Sequence, residues 1–167
     1  LKDFRHALYI RNSPLKHQTE KLTFMPAFHI STASETETIA AATAFAASLR
    51  PKDVVLLHGD LGMGKSVFSR AVIRTLTGQM DLEVPSPTFT LVQTYDSPRG
   101  DIWHFDLYRL KSPDDIYEIG WEEAFGSAIL LIEWPDRLDY LTPKKAISVT
   151  LTAGDTHDSR TITIERP

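Results

Sequence analysis

Apolar positions in this 167-residue chain change their spacing several times, and each change marks an element. Val54-Val55-Leu56-Leu57 is a continuous apolar run, the pattern of a strand covered on both faces. Ten residues on, Val67, Phe68, Ala71, Val72 and Leu76 fall on one face of a helix that Gly78 stops. Upstream, Phe28 to Ser31 reads as a short strand, and Ser34-Glu35-Thr36-Glu37 carries the S-x-x-E box that caps a helix N-terminus. Ile39, Ala42, Ala46 and Leu49 then recur at helical spacing, which predicts a core-facing stripe ending at Pro51.

The second half of the chain reads mostly as strands. Thr88 to Tyr95 and Ile102 to Phe105 are β-rich and flank the turn-forming run Asp96-Ser97-Pro98-Arg99-Gly100-Asp101, which predicts a hairpin. Ser112-Pro113 has an N-cap followed by proline at the first helical position, starting a short helix through about Ile119. Ala128 to Ile132 is another doubly covered strand. Ile147, Val149 and Leu151 alternate with polar residues, as do Ile162 and Ile164 beyond the turn Ala153 to Ser159, so a closing antiparallel hairpin follows. No internal repeat or low-complexity segment is present.

Strand-helix alternation makes this an α/β chain, and its length suits one domain of the usual ~100 to 150 residues. The expected boundaries are an N-terminal extension or expression remnant over residues 1–24, with Met25 a candidate natural start, and a single domain over 25–167. The extension has no continuous apolar core of a signal peptide, and no run reaches the ~20 apolar residues that span a bilayer. Cysteine is absent, which excludes disulfides, thiolate catalysis and zinc-cysteine sites and fits a cytoplasmic location. The net charge of -4 is uneven: residues 1–24 hold five Lys/Arg against two Asp/Glu, leaving 13 against 20 beyond them. An acidic body argues against gripping nucleic acid unaided, since cationic contacts to phosphate dominate that affinity.

The chemistry lies between the apolar strand and the helix that follows it. Gly59-Asp60-Leu61-Gly62-Met63-Gly64-Lys65-Ser66 matches G-x-x-x-x-G-K-[ST] in the strand-loop-helix setting that motif requires. Its glycines let successive amides turn inward around an anion, and the helix N-terminus points at the same place. The expected nucleotide-binding run is Asp60, Leu61, Gly62, Met63, Gly64, Lys65, Ser66 and Val67. Lys65 would bridge outer phosphates and Ser66 would ligate magnesium. Two acids close apolar runs downstream, Asp106 in IWHFD and Glu133 in AILLIE. One strand-end acid is as readily a solvated carboxylate; two behind a phosphate loop point to the metal and the attacking water. His104 shares a strand face with Asp106, but the six histidines are otherwise scattered without paired metal-ligand spacing, and ordinary packing or a surface position accounts for them. Trp103 and Trp134 read as core or site-wall residues.

The motifs GDLGMGKS, PSPTFTLVQTY, HFDLYRL and LIEWP, in that order, resemble the bacterial TsaE family, formerly called YjeE, over about Ser34 to Arg160. The resemblance implies a small P-loop ATPase required for threonylcarbamoyl modification of adenosine next to the anticodon of certain tRNAs. It implies that Ser66, where the family usually has threonine, and Glu133 bind magnesium, with Trp134 beside them. Asp106 matches the acid tied to hydrolysis, and Thr88 a switch-like segment near the γ-phosphate. Lys65, Thr88, Asp106 and Glu133 are thus the expected catalytic set. Ser34 and Glu35 would lie on the adenine side, and Arg160 within reach of the nucleotide.

The expected fold is a three-layer α/β domain of the P-loop NTPase kind, with a mostly parallel central sheet and antiparallel hairpin additions. ATP or ADP and Mg2+ are the expected ligands and a TsaD-TsaB complex the expected protein partner, with tRNA met indirectly. A small-molecule kinase is the main alternative, although no Arg-rich lid segment is evident. A nucleotide-dependent binding protein with incidental hydrolysis is a second. No arginine finger is placed by the sequence, so intrinsic turnover should be slow.

Overall fold

The computed structural model describes residues 27–167; the expected extension over residues 1–24, and Met25, lie outside the described residues. Seven strands and five helical segments follow in the order β1 (Ala27–Thr32), α1 (Glu35–Ala47), β2 (Val54–His58), α2 (Lys65–Thr77), β3 (Val92–Tyr95), β4 (Ile102–Asp106), the 3-10 segment η1 (Pro113–Ile119), α3 (Trp121–Ala124), β5 (Ile129–Glu133), the 3-10 segment η2 (Pro135–Leu141), β6 (Ile147–Ala153) and β7 (Arg160–Glu165). The strands form one mixed sheet in the order β1-β7-β6-β2-β5-β4-β3. Its middle strands, β6, β2, β5 and β4, are mutually parallel, while β1, β7 and β3 pair antiparallel to their neighbours. The antiparallel part is therefore larger than hairpin additions imply, because β1 returns to pair with β7 along its whole length.

Side chains of a strand alternate between faces, so each parallel strand feeds two cores. Val55, Leu57, Ile129 and Leu131 pack with Phe45 and Phe68 from α1 and α2. Val54, Leu56, Leu130 and Ile132 pack on the opposite face with Ile116, Trp121 and Leu138 from η1, α3 and η2. This double covering is why β2 and β5 read as unbroken apolar runs.

Ser34 caps α1 as expected, accepting from the Glu37 amide at 3.3 Å, while the Glu37 carboxylate accepts from the Ala33 amide at 2.8 Å. Two expectations are corrected. Ile39 is 37% exposed; the buried stripe of α1 runs through Thr38, Ala41, Ala42, Phe45 and Ala46. Thr38 enters it because its hydroxyl is satisfied by Thr32 Oγ1 and the Ser34 carbonyl. The expected strand from Thr88 begins instead at Val92, since residues 88–91 form a turn. Leu91 has φ of 66° and its amide donates to the Pro87 carbonyl. Strand propensity here yields to the contact between Thr88 and Asp106 described below.

Parallel strands end on the same edge of the sheet, and register finishes the alignment. Leu57 of β2 and Asp106 of β4 both lie opposite Glu133 of β5. The chain leaves β2 through the glycine loop at this edge, so loop and both acids converge by topology alone. Among the described residues no helix is long and apolar enough to cross a membrane.

Phe68 is fully buried, and its ring lies 5.5 Å from that of Phe45 between α1 and α2. Phe68→Ala should lower the unfolding free energy by about 3–5 kcal/mol, measured by chemical denaturation, because removal of a buried aromatic leaves a cavity that collapses only in part. An unshifted midpoint would contradict this packing.

Candidate functional site

The loop between β2 and α2 takes its form from backbone angles that side chains resist. Gly59, Gly62 and Gly64 have φ of 138°, 81° and 96°. A Cβ on Gly59 would stand 2.5 Å from the Leu151 carbonyl oxygen, so β6 presses directly on the start of the loop. Gly64 forms the N-cap of α2 without a side-chain cap, which leaves the first amides of a 13-residue helix for another acceptor. Arg160 braces the loop from β7, donating from Nε to the Met63 carbonyl at 3.3 Å and from Nη2 to the Gly62 carbonyl at 3.4 Å.

Lys65 is 5% exposed, and its ammonium donates to the Gly59 and Asp60 carbonyls at 2.5 and 2.9 Å. The ammonium also lies 3.8 Å from the centre of the Trp134 ring, a cation-π contact. Trp134 follows Glu133 with φ of 58°, a rare conformation outside glycine, and its ring meets that of Tyr108 at 5.0 Å.

Both acids line the same cleft as this lysine. Glu133 is 2% exposed; its Oε2 accepts from Ser66 Oγ at 3.0 Å and its Oε1 from Ser69 Oγ at 3.2 Å. Asp106 is 3% exposed; its Oδ2 accepts from Thr88 Oγ1 at 2.7 Å and Ser86 Oγ at 3.4 Å, and its Oδ1 from the Tyr108 amide at 3.0 Å. Such burial is tolerated because hydrogen bonds replace the lost water.

Two adjoining clefts open on the loop. One, of about 320 Å³, is lined by Lys65, Ser66, Thr88, Asp106, Glu133 and Trp134, with Leu61 also on its wall. The other, of about 400 Å³, is lined by Ser34, Glu35, Met63 and Arg160, with Asp158 beside them. Gly62, Gly64 and Val67 belong to both. The structure thus brings together the residues singled out from the sequence, with one difference of manner. Asp60 is exposed and is not among the residues lining either cleft; it takes part through its carbonyl, which holds Lys65.

Sequence reasoning missed four contributors. His104 was assigned to packing, yet its Nε2 stands 2.8 Å from Glu133 Oε1. Its position two residues before Asp106, on the same strand face, was the available signal. Ser69 lies one helical turn after Ser66, a weaker signal. Ser86 and the Tyr108 amide reach Asp106 from loops that no periodicity marks.

Chemically, the first cleft combines a cation, the free amides of a helix N-terminus and two carboxylates, an arrangement for a polyanion with a counter-cation. Ser66 Oγ and Glu133 Oε2 are the hard oxygens that a small divalent cation accepts.

A family model described as "Threonylcarbamoyl adenosine biosynthesis protein TsaE" matches residues 32–162. A Rickettsia bellii relative is 50% identical over 118 residues, covering 71% of this chain and 81% of its own length. A Bacillus subtilis relative is 34% identical over 134 residues, covering 79% and 81% respectively. Both are named tRNA threonylcarbamoyladenosine biosynthesis protein TsaE. The crystal structure of YdiB from Bacillus subtilis superposes with a TM-score of 0.65 at 28% identity, covering 84% of this chain and 85% of that one.

Burial lowers the pKa of Lys65 from its ordinary 10.5, while Glu133, Asp106 and Asp60 pull it back upward. The folded chain therefore holds this proton less tightly than the unfolded chain. The resulting destabilisation is full below the lowered pKa and is relieved as pH rises toward 10.5. Lys65→Met should remove that alkaline gain, measured as denaturation midpoints of parent and variant across this range. Parallel pH profiles would show that Lys65 contributes no such linkage.

Proposed function

Since the chain belongs to the TsaE family of threonylcarbamoyl adenosine biosynthesis proteins, we propose that it is a magnesium-dependent P-loop ATPase acting in tRNA threonylcarbamoyladenosine formation. It works through a TsaD-TsaB type complex in the cytoplasm, and meets tRNA through those proteins. The observation that carries this reading is the convergence of Lys65, Ser66-Glu133 and Thr88-Asp106 on one cleft at the ends of parallel strands. That is where a doubly wound α/β sheet binds its ligand, and the mixed sheet with helices on both faces fits the three-layer P-loop NTPase fold.

Each residue has a task in this scheme. The loop amides and the α2 N-terminus cradle the phosphates, and Lys65 exchanges its carbonyl partners for phosphate oxygens. Ser66 and Glu133 hold the metal, which supplies charge neutralisation at the phosphates when bound. Asp106 accepts a proton from, or orients, the attacking water, and Thr88 turns from Asp106 toward the γ-phosphate. Ser34 and Glu35 at the α1 N-terminus meet the adenine end, in the second cleft. Arg160 keeps the loop in shape through its carbonyls. The residues lining the first cleft do not include an arginine, and in this scheme partners complete a slow ATPase.

Asp106→Asn should retain nucleotide but slow phosphate release by about a hundredfold or more. Glu133→Gln should instead raise the magnesium requirement, because an anionic ligand is lost. Identical magnesium titrations and normal turnover in both variants would refute the division of roles. ATPase activity should rise on addition of TsaD-TsaB, and repeated rounds of threonylcarbamoyl transfer to unmodified tRNA should require the protein. Undiminished multiple-turnover modification without it would sink the proposal, and transfer of phosphate to a small acceptor would favour a kinase.

A further inference from the structure

Glu133 has more hydrogen-bond partners than the cleft itself supplies. Its Oε2 faces Ser66, while its Oε1 is engaged from behind by Ser69 at 3.2 Å and by His104 at 2.8 Å. Ser69 and His104 are 0% and 1% exposed, and neither is among the residues lining the cleft. A carboxylate oxygen accepts only, so the imidazole nitrogen facing it carries the hydrogen and donates. The other ring nitrogen, Nδ1, is buried and has no hydrogen-bond partner among the described residues. An apolar side chain would fill this volume without leaving a polar atom unsatisfied, so packing alone does not account for an imidazole here.

The terminal torsion of a glutamate is broad and roughly two-fold, so an unrestrained carboxylate samples many orientations and exchanges its oxygens. Magnesium accepts little deviation from octahedral geometry and gives up water reluctantly. A ligand that must be ordered at the moment of binding loses affinity relative to one already fixed. Two buried donors on one oxygen remove that freedom.

We infer that His104, together with Ser69, is a positioning residue: the pair holds Oε1 of Glu133 so that Oε2 alone is presented to Ser66 and the metal. The inference rests on the magnesium reading of this site. Strand β4 then serves both acids, because it ends in Asp106 and, two residues earlier on the same face, carries the brace for Glu133.

The test is calorimetric titration of the full chain with a non-hydrolysable ATP analogue, with and without saturating magnesium, in the parent, His104→Leu, His104→Gln and Ser69→Ala. His104→Leu should leave magnesium-free affinity near that of the parent and reduce the gain from magnesium by about tenfold or more. His104→Gln, whose amide can replace the Nε2 donor, should recover most of that gain. Ser69→Ala should show a smaller loss of the same kind, and it carries the test if His104→Leu does not fold. A structural role would lower thermal stability without separating Gln from Leu in the magnesium response. If the parent gains from magnesium and all variants gain equally, the positioning role is overturned alone. If the parent gains nothing from magnesium, the metal reading falls and the inference with it.

Discussion

Three charged side chains, Lys65, Asp106 and Glu133, sit together at 5%, 3% and 2% exposure, and much of the surrounding structure answers the demand this makes. Charges removed from water must find opposite charge and hydrogen bonds in fixed geometry. Each of the three has them: backbone carbonyls and the Trp134 face for Lys65, hydroxyls and an amide for Asp106, hydroxyls and an imidazole for Glu133. These partners come from α2, β4 and the segments that follow β2, α2, β4 and β5, which are far apart in sequence. Only a sheet whose parallel strands end in register can deliver them to one place.

This requirement also explains which parts of the fold were legible in the sequence. β2 and β5 announce themselves because burial on both faces forces uninterrupted apolar residues. The loop was legible because its glycines meet a geometric need, seen in the 2.5 Å approach that a Cβ at Gly59 would make to Leu151. Ser66 was marked by its place in the glycine motif, and Asp106 and Glu133 by closing apolar runs downstream of it.

What escaped the sequence lacked periodic contrast or depended on distant partners. Helix α1 is rich in alanine, so Ile39 read as part of the stripe with Ala42, Ala46 and Leu49; those three are buried, but Thr38, Ala41 and Phe45 complete the buried face in place of Ile39. The segment after Pro87 has strand propensity, but the Thr88 hydroxyl reaching Asp106 and the Leu91 amide bonded to the Pro87 carbonyl hold it as a turn. His104 appeared to be filler because its partner lies 29 positions away on another strand. Tertiary contacts of this kind override local preference and leave at most a faint local signature.

The β6–β7 hairpin is more than the closing edge of the sheet. Leu151 of β6 supports the underside of Gly59, and Arg160 of β7 grips the carbonyls of Gly62 and Met63. Loop and hairpin are consequently braced against one another, with β1 joined on the outer side through the β1–β7 ladder. The sheet's β1 edge, remote from Lys65, is thereby tied to the glycine loop by an unbroken chain of hydrogen bonds.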